Sequence, residues 1–372
     1  MAESTTRRTI KSIEDIDCVV DADFHLSETA SDIRPYLEEP WDELLAGSQS
    51  GEGYSGGSNI YPNTATFHPG RTSGRIKEHT RHVKSADDVR EGIEKLGVDR
   101  PVLTPGETQH LTGVHNDQLA VACATAFNEY LLDTYLDEGF TGSMVIAPQH
   151  PDKAAEEINR RADESNIISV SIPSAGAFPP LGHKQYYPIY EACEEADLPI
   201  LLHGTAGSTW INFPQLHQGL CRHMSLHTLA HPVEHMMHVS SLITRGVPVR
   251  YPDLDFVFQE AGLGWIPFMM YRLDHEYPEK PEDAPLLEKR PSEYIMDNFY
   301  FTSQPVEGVE HPEYIHNTIR AFDGTDNLLF ASDYPHHDFD ESNELLQTLR
   351  PQFTDDEISS IYGGNALDVL RY

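Results

Sequence analysis

The run VVDADFHLSE, residues 19–28, places Asp21, Asp23 and His25 at alternate positions of a segment that reads as the end of a strand. Alternation in an extended chain turns the three side chains the same way. Two oxygen donors and an imidazole can begin a divalent metal site. Three other runs close an apolar stretch with a polar residue: PILLHGTAG with His203, LDFVFQEAGLGW with Gln259 and Glu260, and NLLFASDYPHHD with Asp333 followed by His336 and His337. His203 reads as a ligand or as a satisfied core histidine. A carboxylate at a buried strand end is costly unless it is paired, hydrogen-bonded or metal-bound. Glu260 is therefore a candidate ligand or acid/base, the alternative being a salt bridge to an arginine such as Arg272. Asp333 can hold a metal and accept a proton from its bound water, or it can be a turn former that caps the next segment.

These residues need elements that bring them together. Short β-rich runs recur at 16–20, 101–104, 143–147, 167–172, 199–203, 254–260, 298–302 and 327–332, separated by helix-like segments such as PDKAAEEINRRADESN and YYPIYEACEEADL. Several runs are continuously apolar, the pattern of parallel strands buried on both faces. Eight strand–helix units predict an α/β fold, a (β/α)₈ TIM barrel with loop insertions on the C-terminal face. A doubly wound sheet is the fallback, but no G-x-G-x-x-G follows the first strand. The expected organisation is an N-terminal extension, 1–14, and one barrel domain, 15–372. Residues 47–76, rich in Gly, Ser, Asn and Pro, form a long loop insertion that is either a lid or a surface excursion. Residues 277–293 form a second polar excursion, and DDEISSIYGGNALDVL is a terminal helix interrupted by Gly-Gly. Strand ends on one face of a barrel converge, so Asp23, His25, His203 and Asp333 together suggest a metal centre more strongly than any one of them.

Other histidines invite the same question. His227, His231, His235 and His238 recur at helical spacing, although Pro232 argues for a helix that starts near it, so a loop-and-helix wall beside the pocket is expected. No H-E-x-x-H is present. His68, His79 and His82 lie in or beside the long loop, and RIKEHTRHVK, residues 75–84, is a basic patch that pairs with the acidic surface or attracts a carboxylated substrate.

Composition narrows the classes. The chain has 372 residues, 26 basic and 60 acidic, giving a net charge of −34. That excess, spread along the chain, argues against nucleic-acid and anionic-membrane partners, which require clustered Lys and Arg. It suits the salt-rich cytoplasm of a halophile, where charge repulsion is screened, the alternative being an ordinary acidic enzyme. The four cysteines form no C-x-x-C pair and read as buried free thiols. The first residues have no apolar signal region, and no run approaches the ~18 apolar residues of a membrane span.

With these motifs the chain resembles the amidohydrolase superfamily, in particular the amidohydrolase-2 group that includes aminocarboxymuconate-semialdehyde decarboxylase and related decarboxylases. VVDADFH, ADLPILLHG, YPDLDFVFQEAGLGWIPFMMYRLD, NLLFASDYPHHD and IYGGNALDVL carry the resemblance from about Asp17 to Leu370. It implies a (β/α)₈ barrel with one divalent ion, its first-strand pair falling on Asp23 and His25, its fifth-strand histidine on His203 and its eighth-strand aspartate on Asp333. Two departures stand out. Asp23 replaces the first member of the usual H-x-H or E-x-H pair, and as a harder ligand than histidine it shifts preference away from zinc towards manganese, iron or magnesium. The sixth-strand H-G-G becomes Glu260-Ala261-Gly262.

The expected activity is decarboxylation of a small carboxylated acid. Manganese or zinc is the expected metal, with iron or magnesium as alternatives. Asp333 or Glu260 would handle the proton, and His336 and Arg272 would contact substrate. The alternatives are a hydrolase of an amide, ester or lactone, and a barrel that binds a ligand without turnover. The resemblance also implies a homodimer, for which GWIPFMMYRL is either an interface or a barrel-wall helix.

Overall fold

A computed structural model describes residues 10–44, 82–205, 212–213, 223–336 and 339–372. The 47–76 insertion, His68, His79, most of the basic patch and His337 lie outside the described residues. Eight parallel strands form one sheet in chain order: β1 Val20–His25, β2 Arg100–Thr104, β3 Thr141–Val145, β4 Ile167–Pro173, β5 Ile200–His203, β6 Phe256–Gln259, β7 Phe299–Thr302 and β8 Leu328–Leu329. The ends of the sheet meet where the Ala22 N–H donates to the Phe330 carbonyl at 2.9 Å and Phe24 bridges to Tyr334. The eight apolar runs thus fold as the expected (β/α)₈ barrel. The first strand differs most from expectation, because it starts only at Val20, after most of the apolar run at 16–20 that announces it. Asp21, Asp23 and His25 read as strand-terminating polar residues, yet all three are buried and the strand runs through them.

The principal helices are α1 Ala86–Leu96, α2 Asp117–Thr134, α3 Pro151–Arg161, α4 Tyr187–Glu195, α5 His223–Thr244, α6 Trp265–Glu276, α7 Pro291–Asn298, α8 Pro312–Ala321 and α9 Ser342–Leu349. Capping sets the ends of α1: the Ser85 side chain accepts from the Asp88 N–H, and Gly97 closes the helix at φ +67. The barrel interior is filled by Val20, Val102, Ile168, Leu201, Val257 and Leu329, one from each of six strands, with Ala366, Val369 and Leu370 packed beneath them. These apolar layers seal the bottom, so polar strand ends can gather only at the top.

Two local expectations are corrected. Helix α5 runs through Pro232 instead of starting near it. A mid-helix proline costs one N–H and strains the turn before it. Here α5 is docked further along by His235 Nε2 on the Gln259 carbonyl at 2.7 Å and His238 Nε2 on the Ser174 carbonyl at 3.0 Å. The Gly-Gly near the C-terminus does not interrupt its helix, since Ser360–Gly364 continues the winding as a wide π turn into Asn365–Val369. Gly363 is needed there because a Cβ would lie 2.1 Å from the Cys18 carbonyl oxygen. GWIPFMMYRL forms α6, with Trp265, Ile266, Met269 and Met270 buried against the barrel.

Candidate metal centre

The first strand delivers two ligand candidates because it is irregular. Between Asp21 and Phe24 its register against β2 slips by one residue. Such a bulge resets the alternation of side chains. Val20 and Ala22 face the barrel interior, Phe24 joins the outer core, and Asp23 and His25 enter the cluster at the mouth. Asp21 falls out of phase, which corrects the expectation that the three share one face. Its carboxylate accepts from the Ser332 N–H at 2.9 Å and the Ser332 hydroxyl at 2.5 Å, stitching β1 to the segment after β8. Burial pushes Asp21 up to about 7.

Asp23, His25, His203 and Asp333 are all buried, and each offers a ligand atom within 4.8 Å of the others. His25 Nε2 lies 3.2 Å from Asp23 Oδ1 and 3.0 Å from Asp333 Oδ1, while His203 Nε2 lies 3.4 Å from Asp23 Oδ2. The opposite nitrogen of each ring meets a carbonyl: His25 Nδ1 donates to Pro105 at 2.8 Å, and His203 Nδ1 to Gly204 at 2.6 Å. Both imidazoles are therefore held with the Nε2 lone pair aimed inward, the usual preparation of a metal-ligating histidine. Among the described residues, Asp23 Oδ2 and His203 Nε2 are buried and make no hydrogen bond. Two lone pairs facing each other repel, and a cation between them satisfies both, so the donor set fits a divalent ion. The field agrees. Burial alone would lower His203, but the Asp23 carboxylate and then Glu260 outweigh it and favour positive charge at this position, which a bound cation would supply in place of a proton.

Asp333 sits at φ +61, with its N–H donating to the Asp23 carbonyl at 3.0 Å. Left-handed backbone is strained for a side chain other than glycine, although aspartate and asparagine tolerate it better than most. Its carboxylate receives the Gln304 side-chain amide at 3.2 Å and lies 2.6 Å from Nδ1 of His336. His336 stacks on His25 with ring centroids 4.3 Å apart and is 37 % exposed.

Glu260, directly after β6, has the same strain at φ +51. Among the described residues the other two such positions, Asp197 and Asp323, are exposed turn formers ahead of β5 and β8. Glu260 is buried, with Oε2 3.3 Å from His203 Nε2 and Oε1 facing α5, 3.7 Å from His231 Nδ1 and 3.9 Å from His227 Nε2.

Arg272 is a correction. It lies on the outer face of α6, 59 % exposed, with its guanidinium 2.6 Å from Glu276. It neither contacts the cluster nor balances Glu260. Sequence reasoning also missed the supports behind the ligands. Thr104 donates to Asp23 Oδ1 at 3.1 Å, and Gln109 donates to the Pro105 carbonyl at 2.6 Å. Glu28 accepts from the Gly106 and Thr108 N–H groups at 2.8 and 3.0 Å, fixing the turn that orients His25. The available signals were the polar residues closing β2 and β7, TPGETQ and TSQP.

Comparison with known proteins accords with this centre. Residues 20–372 match the amidohydrolase family Amidohydro_2. The chain is 25% identical over 250 residues to gamma-resorcylate decarboxylase of Rhodococcus jostii, spanning 62% of this chain and 67% of the relative. It is also 25% identical over 318 residues to 2-keto-4-carboxy-3-hexenedioate hydratase of Sphingobium sp., spanning 77% and 84%. A solved 5-carboxyvanillate decarboxylase of Novosphingobium aromaticivorans, with bound manganese, shares the fold at TM-score 0.70 and 20% identity over 95% of this chain and 96% of that one. The chain therefore belongs to the amidohydrolase family, as a metal-dependent enzyme with a carboxy-lyase or hydrolase role.

Proposed function

We propose that the enzyme decarboxylates a small aromatic or unsaturated carboxylic acid at the Asp23, His25, His203 and Asp333 centre. The observation that carries this reading is the pairing of a four-donor metal set with a proton-exchanging couple, Asp333 Oδ1 and His336 Nδ1 at 2.6 Å. A divalent ion held by Asp23, His25, His203 and Asp333 would supply positive charge that binds the substrate acid and stabilises the charge developing as its C–C bond breaks. Manganese is the first choice, because two carboxylates make the set harder than an all-histidine one.

Asp333 holds the proton and gives it to the carbon that loses CO₂. The electron pair of the broken C–C bond remains on that carbon as the new C–H bond. His336, partly open to solvent, returns a proton to Asp333. The carbonyls behind His25 and His203 keep both rings fixed, so little reorganisation accompanies the reaction. Glu260 is the less suitable proton donor, because three imidazoles surround it and its nearest neighbour is the ligand His203.

The gamma-resorcylate decarboxylase relative supports hydroxybenzoic acids as first substrates. With manganese-loaded protein and carboxyl-labelled acids, label should leave as CO₂, and Asp333→Asn should slow release about 1000-fold. A second reading is hydration of an unsaturated acid, favoured by the hydratase relative, whose match spans more of the chain. Loss of alkene absorbance without CO₂ would select it. Acid plus alcohol or amine would select the hydrolase, and no turnover across the panel would leave the barrel as a binding scaffold. We further place the enzyme in a salt-rich cytoplasm as a homodimer. Its even acidity supports the first, and the exposed Phe268 and Tyr271 on α6 offer an apolar contact for the second.

A further inference from the structure

Outside the four-ligand centre, a second group of ligand atoms converges on the far oxygen of Glu260. His227 and His231 are four residues apart on α5, so one turn of helix brings them to the same face. Two histidines at this spacing, completed by a carboxylate from elsewhere in the fold, form a recurrent divalent-metal site. Here Glu260 Oε1 lies 3.7 Å from His231 Nδ1 and 3.9 Å from His227 Nε2, and a ligand atom from each residue falls within 4.8 Å of the other two. These separations exceed the ~3.2 Å limit of a good N–H···O hydrogen bond. Two atoms bound to one ion at about 2.1 Å are at most ~4.2 Å apart, and ~3.4 Å in a tetrahedral site. Glu260 Oε1 already lies within that outer limit of both histidine nitrogens.

We propose that His227, His231 and Glu260 form a second divalent-cation site beside the first. Glu260 links the two, with Oε2 towards His203 and Oε1 towards the helix pair. The strained backbone at φ +51 that carries Glu260 matches that of Asp333, so both strand ends are bent to present a carboxylate at the mouth. His227, partly open to solvent, gives the second ion access from outside.

The test is a count of bound metal in full-length protein, stripped with chelator and then dialysed to equilibrium against Zn²⁺ alone or Mn²⁺ alone. Wild type should bind two ions per chain and the His227→Ala/His231→Ala variant one. His203→Ala should keep the second site and lose the first. His231→Gln, with circular dichroism to check folding, serves where the double variant is unstable, and should weaken one of two binding events at least tenfold. One ion per chain in wild type, or equal counts and affinities in wild type and variants, overturns the proposal. One ion retained in both wild type and the double variant would still leave the four-ligand centre standing.

Discussion

At Asp333 two demands meet in one side chain: it must face a cation and also exchange a proton. Its 2.6 Å contact with His336 separates the two tasks, because the imidazole connects the buried carboxylate to solvent. His336→Gln should therefore lower kcat by about 10- to 100-fold while bound metal stays constant. Steady-state rates with elemental analysis check this, and an unchanged kcat would remove His336 from proton transfer. Asp23, His25, His203 and Asp333 were legible in the sequence because each breaks or closes an apolar run where burial demands a reason. Asp21 was not, since the bulge that turns it aside depends on register with β2. Arg272 was misread although its signal was present. Trp265, Ile266, Met269 and Met270 mark the buried stripe of α6, and Arg272 lies four residues after exposed Phe268.

Helix α5 holds its histidines in two ways. His227 and His231 face Glu260, whereas His235 and His238 dock the helix to the barrel as neutral rings. His238 donates from Nε2 to Ser174 and accepts the Leu181 N–H at Nδ1, 3.3 Å away, so protonation would cost it a hydrogen bond. Burial lowers it to about 4 and raises its neighbour Glu234 to about 8, so the 3.7 Å approach between them is a contact of neutral groups, not an ion pair. The two groups act on stability with opposite signs. His238, depressed from 6.5, contributes stability above about pH 6.5 that is lost as pH falls towards 4, up to about 3 kcal/mol. Glu234, raised from 4.5, runs the other way: its contribution is full below about pH 4.5 and is lost as pH rises to about 8. The difference between wild type and His238→Gln isolates the histidine. In denaturant unfolding at pH 7, 5.5 and 4.5, wild type should lose more stability than the variant, and parallel profiles would contradict the docking role. The element was legible from its four-residue period, but its continuity through Pro232 was not, because tertiary docking outweighs the local cost.

The whole molecule was the most legible level. Eight buried apolar runs separated by helices permit few other architectures, and seven of them fall close to their observed strands. What seals the barrel bottom was not legible, because Ala366, Val369 and Leu370 look like any amphipathic helix until the chain closes on itself. Among the described residues no helix is long and apolar enough to cross a membrane. The net charge of −34 makes self-repulsion a global term that salt screens. Tm should therefore rise steadily from 0.1 M towards 2 M KCl in calorimetry, concentrations at which the screening length drops from ~10 Å to below ~3 Å. A Tm that is flat or falls with salt would argue against adaptation to a salt-rich compartment.

The central claim is the divalent centre of Asp23, His25, His203 and Asp333, and elemental mass spectrometry of the purified protein tests it most directly. We predict at least one divalent ion per chain in wild type and one in the His227→Ala/His231→Ala variant, with none left when His203→Ala is added to that variant. Wild-type protein that is metal-free after reconstitution with manganese, zinc and iron would contradict the account.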